Sequence, residues 1–298
     1  MSTSGMHGES FRLGYRFQCH WDTPMANAFF CGEFGAGTFV VALLVGYMPG
    51  MALGLLVTGI GKPFFHLTHM GVPGKSWRAI LRPDRSWTSR GLIAIIVFTG
   101  AGVVHVVDSF LGGALPGGLA LATTVMAGVA ALAVMTYQGF AMSHSTAIAL
   151  WSTAMMPFSS LLYALAGGTT VVLLMHGSGA PAEVMARLTV GALGLIGSIA
   201  MMLAALLHAA YHGGPGARVS ARLLMHGQYA PWLHGVVVAA GLVLPAAALW
   251  LAGGTFAGRL VAAAGVLGGF YAYRVLMFKA GVYEPVMSFA SLTGGARE

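Results

Sequence analysis

Residues 91–111 read GLIAIIVFTGAGVVHVVDSFL, and this stretch decides the fold class. Asp108 is its single formally charged residue and lies near the end of the run. A helix needs about 20 predominantly apolar residues to cross the hydrocarbon core of a bilayer, and the segment meets that length. The stretch therefore predicts a membrane-spanning helix.

The whole chain has the composition of an integral membrane protein. It contains 298 residues, of which 57% are hydrophobic and 8% are charged, and its mean hydropathy is +0.79. Soluble domains contain about 25% charged residues, so this chain has too few charged side chains to cover a surface that faces water. The polar segment 1–24 lacks the apolar run of a secretory signal peptide, so we expect the first span to be retained.

Seven further stretches have the length and composition of a span. The eight predicted spans are residues 25–47, 50–70, 91–111, 119–140, 146–174, 187–210, 233–252 and 258–279. The chain contains 44 glycines, and small residues let membrane helices approach closely. The sequence therefore predicts an all-α integral membrane protein, a single domain over residues 1–298 in which eight transmembrane helices form a bundle with short loops.

The basic residues predict the orientation of the spans in the membrane. Most of the 15 Lys and Arg fall in or beside the N-terminal segment 1–24, the longer loops 71–90 and 211–232, and the tail 280–298. They are Arg12, Arg16, Lys75, Arg78, Arg82, Arg85, Arg90, Arg218, Arg222, Lys279 and Arg297. The positive-inside rule places these segments, and both termini, in the cytoplasm. So few charges exclude a nucleic-acid partner, because a surface that follows phosphates needs many cations.

Two side chains of opposite charge lie within the first two spans. Glu33 and Lys62 are each about eight residues from the predicted cytoplasmic end of their helix, so both lie at roughly 12 Å depth and are expected to pair. A charge at mid-membrane costs about 2.5–3.5 kcal/mol on insertion scales, so each needs a reason. Two interpretations stay open: a structural ion pair that fixes helix register, or a group that handles protons or binds a polar head group.

Other polar residues gather toward the same side of the predicted bundle. They are His66 and His69 on one face of the second span, Tyr137 and Gln138 at the end of the fourth, and Arg274 near the inner end of the eighth. A mostly apolar pocket with a few convergent polar groups suits an amphiphilic ring with two carbonyls, which is a quinone.

Cys19 and Cys31 are too few for an iron–sulfur cluster or a cysteine zinc site, so no metal site is predicted.

Several short motifs occur in a fixed order along the chain. They are Gly35-Ala36-Gly37, Gly61-Lys62-Pro63, Arg82-Pro83, Ser86-Trp87-Thr88-Ser89-Arg90, Tyr137-Gln138-Gly139, Trp151, Pro157, Gly167-Gly168, and Arg274 followed by Ala280-Gly281. With eight spans, this pattern resembles the membrane subunit of polysulfide reductase, the NrfD-type quinol oxidases and, more distantly, the dimethyl sulfoxide reductase anchor. The resemblance covers most of the chain.

The resemblance implies a subunit that binds ubiquinone or menaquinone and holds no haem or iron–sulfur cluster of its own. It further implies a ferredoxin-like iron–sulfur partner with 4Fe–4S clusters and a catalytic partner with a molybdenum or tungsten bis-pterin. Tyr137 matches the family tyrosine that contacts the quinone. Asn27 lies about two positions from the family's asparagine at the start of the first span, whereas the histidine that accompanies it there has no counterpart within this span.

The predicted function is that of a quinone- or quinol-binding anchor subunit of such an oxidoreductase complex, with its partners on the cytoplasmic side. This chain would supply the quinone-reactive site, and the catalytic partner would act on the external substrate. The residues predicted to handle protons are Glu33, His66 and His69. The residues predicted to line the quinone pocket are Tyr137, Asn27, Lys62, Gln138 and Arg274.

Two alternatives from other classes stay open. The 11 histidines could ligate haem b, as in a membrane cytochrome, although those near the cytoplasmic side lie close to helix ends. A secondary transporter could use the Glu33–Lys62 pair as a relay, and it would require broken helices at corresponding positions of two halves. Pro157 and Pro245 do not form a convincing inverted repeat.

Overall fold

A computed structural model describes residues 15–284, and within them eight helices are long and apolar enough to cross a membrane. We label them α1 (Thr23–Leu44), α2 (Met48–His69), α3 (Trp87–Phe110), α4 (Gly117–Ser143), α5 (Met155–His176), α6 (Ala182–Tyr211), α7 (Trp232–Ala252) and α8 (Phe256–Lys279). The predicted all-α membrane bundle is confirmed. Residues 1–14 and 285–298 of the predicted terminal segments, including Arg12 and Arg297, lie outside the described residues.

Most helix ends agree with the predicted spans, and the start of α5 is the largest difference. The helix begins at Met155, whereas the apolar run predicted a start at residue 146. Turns occupy the intervening residues, and Trp151 is buried there with its indole Nε1 donating a 2.8 Å hydrogen bond to the carbonyl of Met277. Hydropathy alone cannot distinguish this buried, non-helical approach from the first turns of a span.

The two longer loops both contain short helices. The loop between α2 and α3 forms a 3₁₀ helix, Pro73–Ile80, and α3 begins at Trp87, inside the predicted loop 71–90. The side chain of Ser86 caps α3 by accepting a hydrogen bond from the amide of Ser89, which satisfies one of the free donors at the helix start. The loop between α6 and α7 contains the helix Pro215–Met225.

The bundle consists of two groups of four helices that meet at α1 and α5. In the first group, α1 to α4, each helix packs against the next one and α4 packs against α1. In the second group, α5 to α8, each helix packs against the next one and α8 packs against α5. The groups join where α1 contacts α5 and α8 and where α4 contacts α5. The burial of the helices agrees with this central position of α1 and α5. In the most apolar 18-residue segment of each helix, 67% of the residues are buried in α1 and 72% in α5, against 22% in α3.

Small residues make the central contact possible. A Cβ atom at Gly37 of α1 would overlap the backbone carbonyl of Ala164 in α5, and one at Gly168 would overlap the backbone of Gly37. The backbones of α1 and α5 therefore touch directly, as small residues allow in membrane bundles. The glycine motifs of the first and fifth spans lie at this crossing.

The outer helices present large apolar side chains outward. Trp250 and Leu251 of α7 are 80% and 81% exposed, and Phe110 of α3 is 77% exposed. Side chains of this kind suit contact with lipid, so the exposed surface supports the multi-pass membrane assignment. Because the helices alternate in direction, the loops after α2, α4 and α6 and both chain ends share one side. A bridge between Phe17 and Val282 joins the two ends.

Candidate functional site

A cavity of about 330 Å³ lies between α2, α3, α4 and the 3₁₀ helix Pro73–Ile80. Its volume is within the range of small-molecule pockets, about 300–1,000 Å³. The lining residues are Lys62, Pro63, His66, Leu67, Met70, Ser76, Trp77, Ala79, Thr88, Leu92, Ile95 and Tyr137. The lining is mostly apolar, and its polar side chains are Lys62, His66 and Tyr137, together with Ser76, Thr88 and the indole of Trp77.

Lys62 is buried, and its amine is held by neutral partners. Its Nζ donates to Oε1 of Gln138 at 2.7 Å and to the carbonyl of Ala28 at 3.3 Å. Gln138 is fixed in turn because its Nε2 donates to the carbonyl of Phe29 at 3.1 Å. No carboxylate lies within salt-bridge distance of Nζ among residues 15–284. Hydrogen bonds to neutral groups therefore hold the amine in place.

The backbone of α2 is irregular immediately before Lys62. Residues Val57–Gly61 form a π-helical stretch, and α-helical geometry resumes at Lys62. A π-helical turn rotates the residues that follow it around the helix axis, and such turns occur often at functional sites. On the facing helix, a Cβ atom at Gly32 would come within 2.7 Å of Cδ of Lys62, so α1 leaves space for the lysine stem.

His66 lies one helical turn beyond Lys62 and also lines the cavity. Its Nδ1 atom is buried and has no hydrogen-bond partner in the part of the chain that the structure describes. A buried polar atom without a partner is uncommon and requires an explanation. A ligand in the cavity supplies one, because the imidazole would then have a polar group to bond.

Tyr137 approaches the cavity from α4 and packs against α3. Its ring fills the space beside Gly91, because a Cβ atom at that position would overlap the ring. The ammonium of Lys62 lies 5.0 Å from the ring centroid, within the range of a cation–π contact. The Tyr137 hydroxyl makes no hydrogen bond within residues 15–284, so it can donate to a molecule in the cavity.

Glu33 and Arg274 form a second polar cluster, at the junction of α1, α5 and α8. Oε2 of Glu33 lies 2.5 Å from Nη2 of Arg274, and both side chains are fully buried. The same Nη2 donates to Oγ of Ser160 at 3.1 Å. The predicted Glu33–Lys62 ion pair is therefore wrong: the two side chains have similar depths, but Glu33 lies closer to α8 and pairs with its arginine.

Two other predicted site residues also lie away from the cavity. Asn27 accepts a 2.8 Å hydrogen bond from the hydroxyl of Tyr271, between α1 and α8. Nδ1 of His69 lies 3.0 Å from Oδ1 of Asp22, at the surface end of α2. Of the predicted residues, the structure thus brings together Lys62, His66 and Tyr137 in the cavity wall, with Gln138 behind Lys62. Glu33, Arg274, Asn27 and His69 do not line it.

The sequence did not predict the part of the wall that comes from α3 and the preceding loop. Trp77 lies on the 3₁₀ helix, and Thr88, Leu92 and Ile95 form the α3 face of the cavity. The 3₁₀ helix is attached to α3 because Oγ of Ser89 donates a hydrogen bond to the carbonyl of Ala79. The spacing of Thr88, Leu92 and Ile95 along one helix face was the available signal.

No protein-family model matches the chain, and no curated protein matches it. The geometry of the cavity and the motifs in the sequence are therefore what support a function.

Proposed function

We propose that this protein is a quinone- or quinol-binding membrane subunit that exchanges electrons between the membrane quinone pool and an iron–sulfur partner subunit. The observation that carries the proposal is the cavity beside α2, where Lys62, His66 and Tyr137 converge in a lining that is mostly apolar. Its apolar wall suits a ring and an isoprenoid chain, and its few polar groups suit carbonyl oxygens.

The residues of the cavity fit a quinone head group in kind and number. The Tyr137 hydroxyl and the Lys62 ammonium are donors, and the unpartnered Nδ1 of His66 can donate or accept depending on its tautomer. A bound quinone supplies the redox chemistry, taking up two electrons and two protons. Lys62 and His66 would bind the carbonyl oxygens and move protons to and from them, and Tyr137 would orient the ring. Gln138 would keep the ammonium in place.

The partners follow from the family resemblance and from the orientation. We infer a ferredoxin-like iron–sulfur subunit with 4Fe–4S clusters, and a catalytic subunit with a molybdenum or tungsten bis-pterin. The cavity opens toward the side that carries Lys75, Arg78 and the other basic loop residues, which the positive-inside rule assigns to the cytoplasm of a bacterial inner membrane. The partners would therefore dock on the cytoplasmic face.

The test is a binding titration of the purified protein with a short-chain ubiquinone or menaquinone analogue. Tyr137→Phe removes one hydrogen bond of about 1 kcal/mol, so we expect Kd to rise about fivefold. The matched control is Tyr47→Phe, because Tyr47 stacks on His176 at the opposite end of the bundle, and its Kd should not change. Equal affinity of wild type and Tyr137→Phe would remove Tyr137 from the site. Absence of binding by the wild type would overturn the proposed function.

The complex is tested separately. Affinity purification of the full chain from its native membrane should retain a protein whose electron paramagnetic resonance spectrum is that of a reduced 4Fe–4S cluster. Reduction of that cluster by quinol should slow in Lys62→Met, because the variant lacks the ammonium. A cluster reduced at the wild-type rate in Lys62→Met would contradict the assigned role of Lys62.

A further inference from the structure

A second groove lies on the outer surface of the other helix group, between the first turn of α1, the start of α7 and the last half of α8. Its volume is about 410 Å³, and its lining is mostly apolar. The lining includes Trp232 and Val236 from α7, and Gly268, Tyr271, Val275 and Lys279 from α8. The groove does not include the residues of the cavity beside α2.

The length of the groove matches one leaflet of a bilayer. Gly268 and Lys279 are 11 residues apart on α8, which corresponds to about 16 Å at 1.5 Å per residue. Half of a hydrocarbon core about 30 Å thick is about 15 Å. Lys279 is the last residue of α8 and lies at the surface end, whereas Gly268 lies near mid-membrane. A Cβ atom at Gly268 would meet no other atom within 4 Å, so the deep end is open.

The surface end of the groove carries positive charge and an interfacial aromatic side chain. Lys279 is exposed, and its ammonium has no carboxylate partner in residues 15–284. The adjoining pocket, which Lys279 also lines, contains one acidic residue, Asp22. Its Oδ1 is already in contact with Nδ1 of His69 at 3.0 Å and accepts a hydrogen bond from the amide of Met25 at 3.3 Å. Trp232 is 58% exposed, and tryptophan is enriched at the level of lipid head groups.

From this arrangement we infer that the groove is a binding site for an anionic phospholipid. One acyl chain lies along α8 from Val275 to Gly268, against Val236 of α7. The phosphate contacts the ammonium of Lys279, and Trp232 lies beside the glycerol region. Basic pockets between helices on the cytoplasmic side are a recognised arrangement for anionic lipid head groups. The inference does not depend on quinone binding by the first cavity.

The experiment compares lipid binding by the purified full chain, measured by native mass spectrometry with phosphatidylglycerol or phosphatidylcholine added. The wild type should bind phosphatidylglycerol in preference to phosphatidylcholine. Lys279→Gln should reduce that preference about fivefold, the factor that corresponds to about 1 kcal/mol per basic residue at a membrane surface. Gly268→Leu fills the deep end of the groove and should lower the occupancy of both lipids.

The matched control for folding and helix propensity is Gly191→Leu. Gly191 is an exposed glycine of α6 with no atom within 4 Å of its Cβ position, and it lies outside the groove. This variant should bind both lipids as the wild type does. The inference is overturned if Gly268→Leu binds lipid like Gly191→Leu, if Lys279→Gln keeps the wild-type preference, or if only a quinone analogue occupies the groove.

Discussion

At the scale of single residues, the position of Tyr137 depends on the absence of a side chain at position 91. A Cβ atom there would overlap three atoms of the phenol ring, so Gly91→Ala must displace a ring that lines the cavity. We expect a loss of about 1–3 kcal/mol in the free energy of unfolding, as for other overpacked sites. We also expect about fivefold weaker binding of a quinone analogue, because the hydroxyl would lose its hydrogen bond to the bound analogue.

Thermal unfolding and the binding titration measure these two effects. Gly100→Ala is the control on the same helix, since a Cβ atom at Gly100 would meet nothing within 4 Å. It should change neither quantity appreciably. If Gly91→Ala binds the analogue as tightly as Gly100→Ala, the ring position is not what the site requires.

The Glu33–Arg274 pair gives a second prediction at this scale. Both side chains are fully buried, so Glu33→Gln leaves the guanidinium without its counter-charge. Removal of one partner of a buried pair typically costs about 3–5 kcal/mol. We expect that loss in the free energy of unfolding, measured by denaturant titration in detergent, and a partial recovery in the Glu33→Gln, Arg274→Gln double variant.

The exposed pair of Glu183 and Arg187 on α6 provides the comparison, because it has the same charges without burial. Surface ion pairs contribute about 0–1 kcal/mol, so Glu183→Gln should change stability little. Equal effects of Glu33→Gln and Glu183→Gln would contradict a structural role for the buried pair.

At the scale of helices, the crossing of α1 and α5 holds the two helix groups together. The atoms that a Cβ at Gly37 would overlap belong to the backbone of Ala164, which cannot rotate away as a side chain can. Gly37→Ala should therefore separate the helices and lower the free energy of unfolding by about 3 kcal/mol. Gly197→Ala on α6, where the Cβ position is open, should leave it unchanged. Wild-type stability of Gly37→Ala would show that the crossing is not tightly packed.

The helices themselves could be predicted because hydropathy is a property of consecutive residues. A span of about 20 apolar residues has one stable arrangement in lipid, a helix that satisfies its own backbone hydrogen bonds. The segment before α5 is the exception: Ile148, Leu150 and Trp151 are apolar because they pack inside the protein, and the chain around them forms turns. Tyr137 and His66 were expected on one side of the bundle because each lies near the predicted cytoplasmic end of a span, and Lys62 lies one helical turn deeper than His66.

The partner of Glu33 could not be predicted in the same way. Counting residues along a helix gives the depth of a side chain, and Glu33 and Lys62 do have similar depths. It does not give the direction around the helix axis in which a neighbour lies. That direction depends on how α8 packs against α1, and on the π-helical stretch Val57–Gly61, which changes the rotation of Lys62.

At the scale of the whole molecule, the two helix groups carry different features at the same side of the membrane. The cavity with Lys62 belongs to the group α1–α4, and the groove that ends at Lys279 lies mainly on the second group. Between them, the paired chain ends and the turn before α5 cover the centre, where Tyr283 donates from its amide to the carbonyl of Arg16. A partner that docks on this side would therefore contact segments from both groups.

The orientation of this side is the prediction on which the location of the partners depends. Cys19 is exposed and precedes α1, whereas Cys31 is partly buried within α1. With the basic loops in the cytoplasm, a membrane-impermeant maleimide should modify Cys19 in inverted membrane vesicles and not in intact spheroplasts. A Cys19→Ser, Ala182→Cys variant places the thiol at the exposed start of α6, on the opposite side, and its labelling should be reversed.

Labelling of Cys19 in intact spheroplasts would show that the protein has the opposite orientation. The basic residues of loop 71–90 would then require another role, such as binding a partner outside the cytoplasm, and the cavity would open on that face.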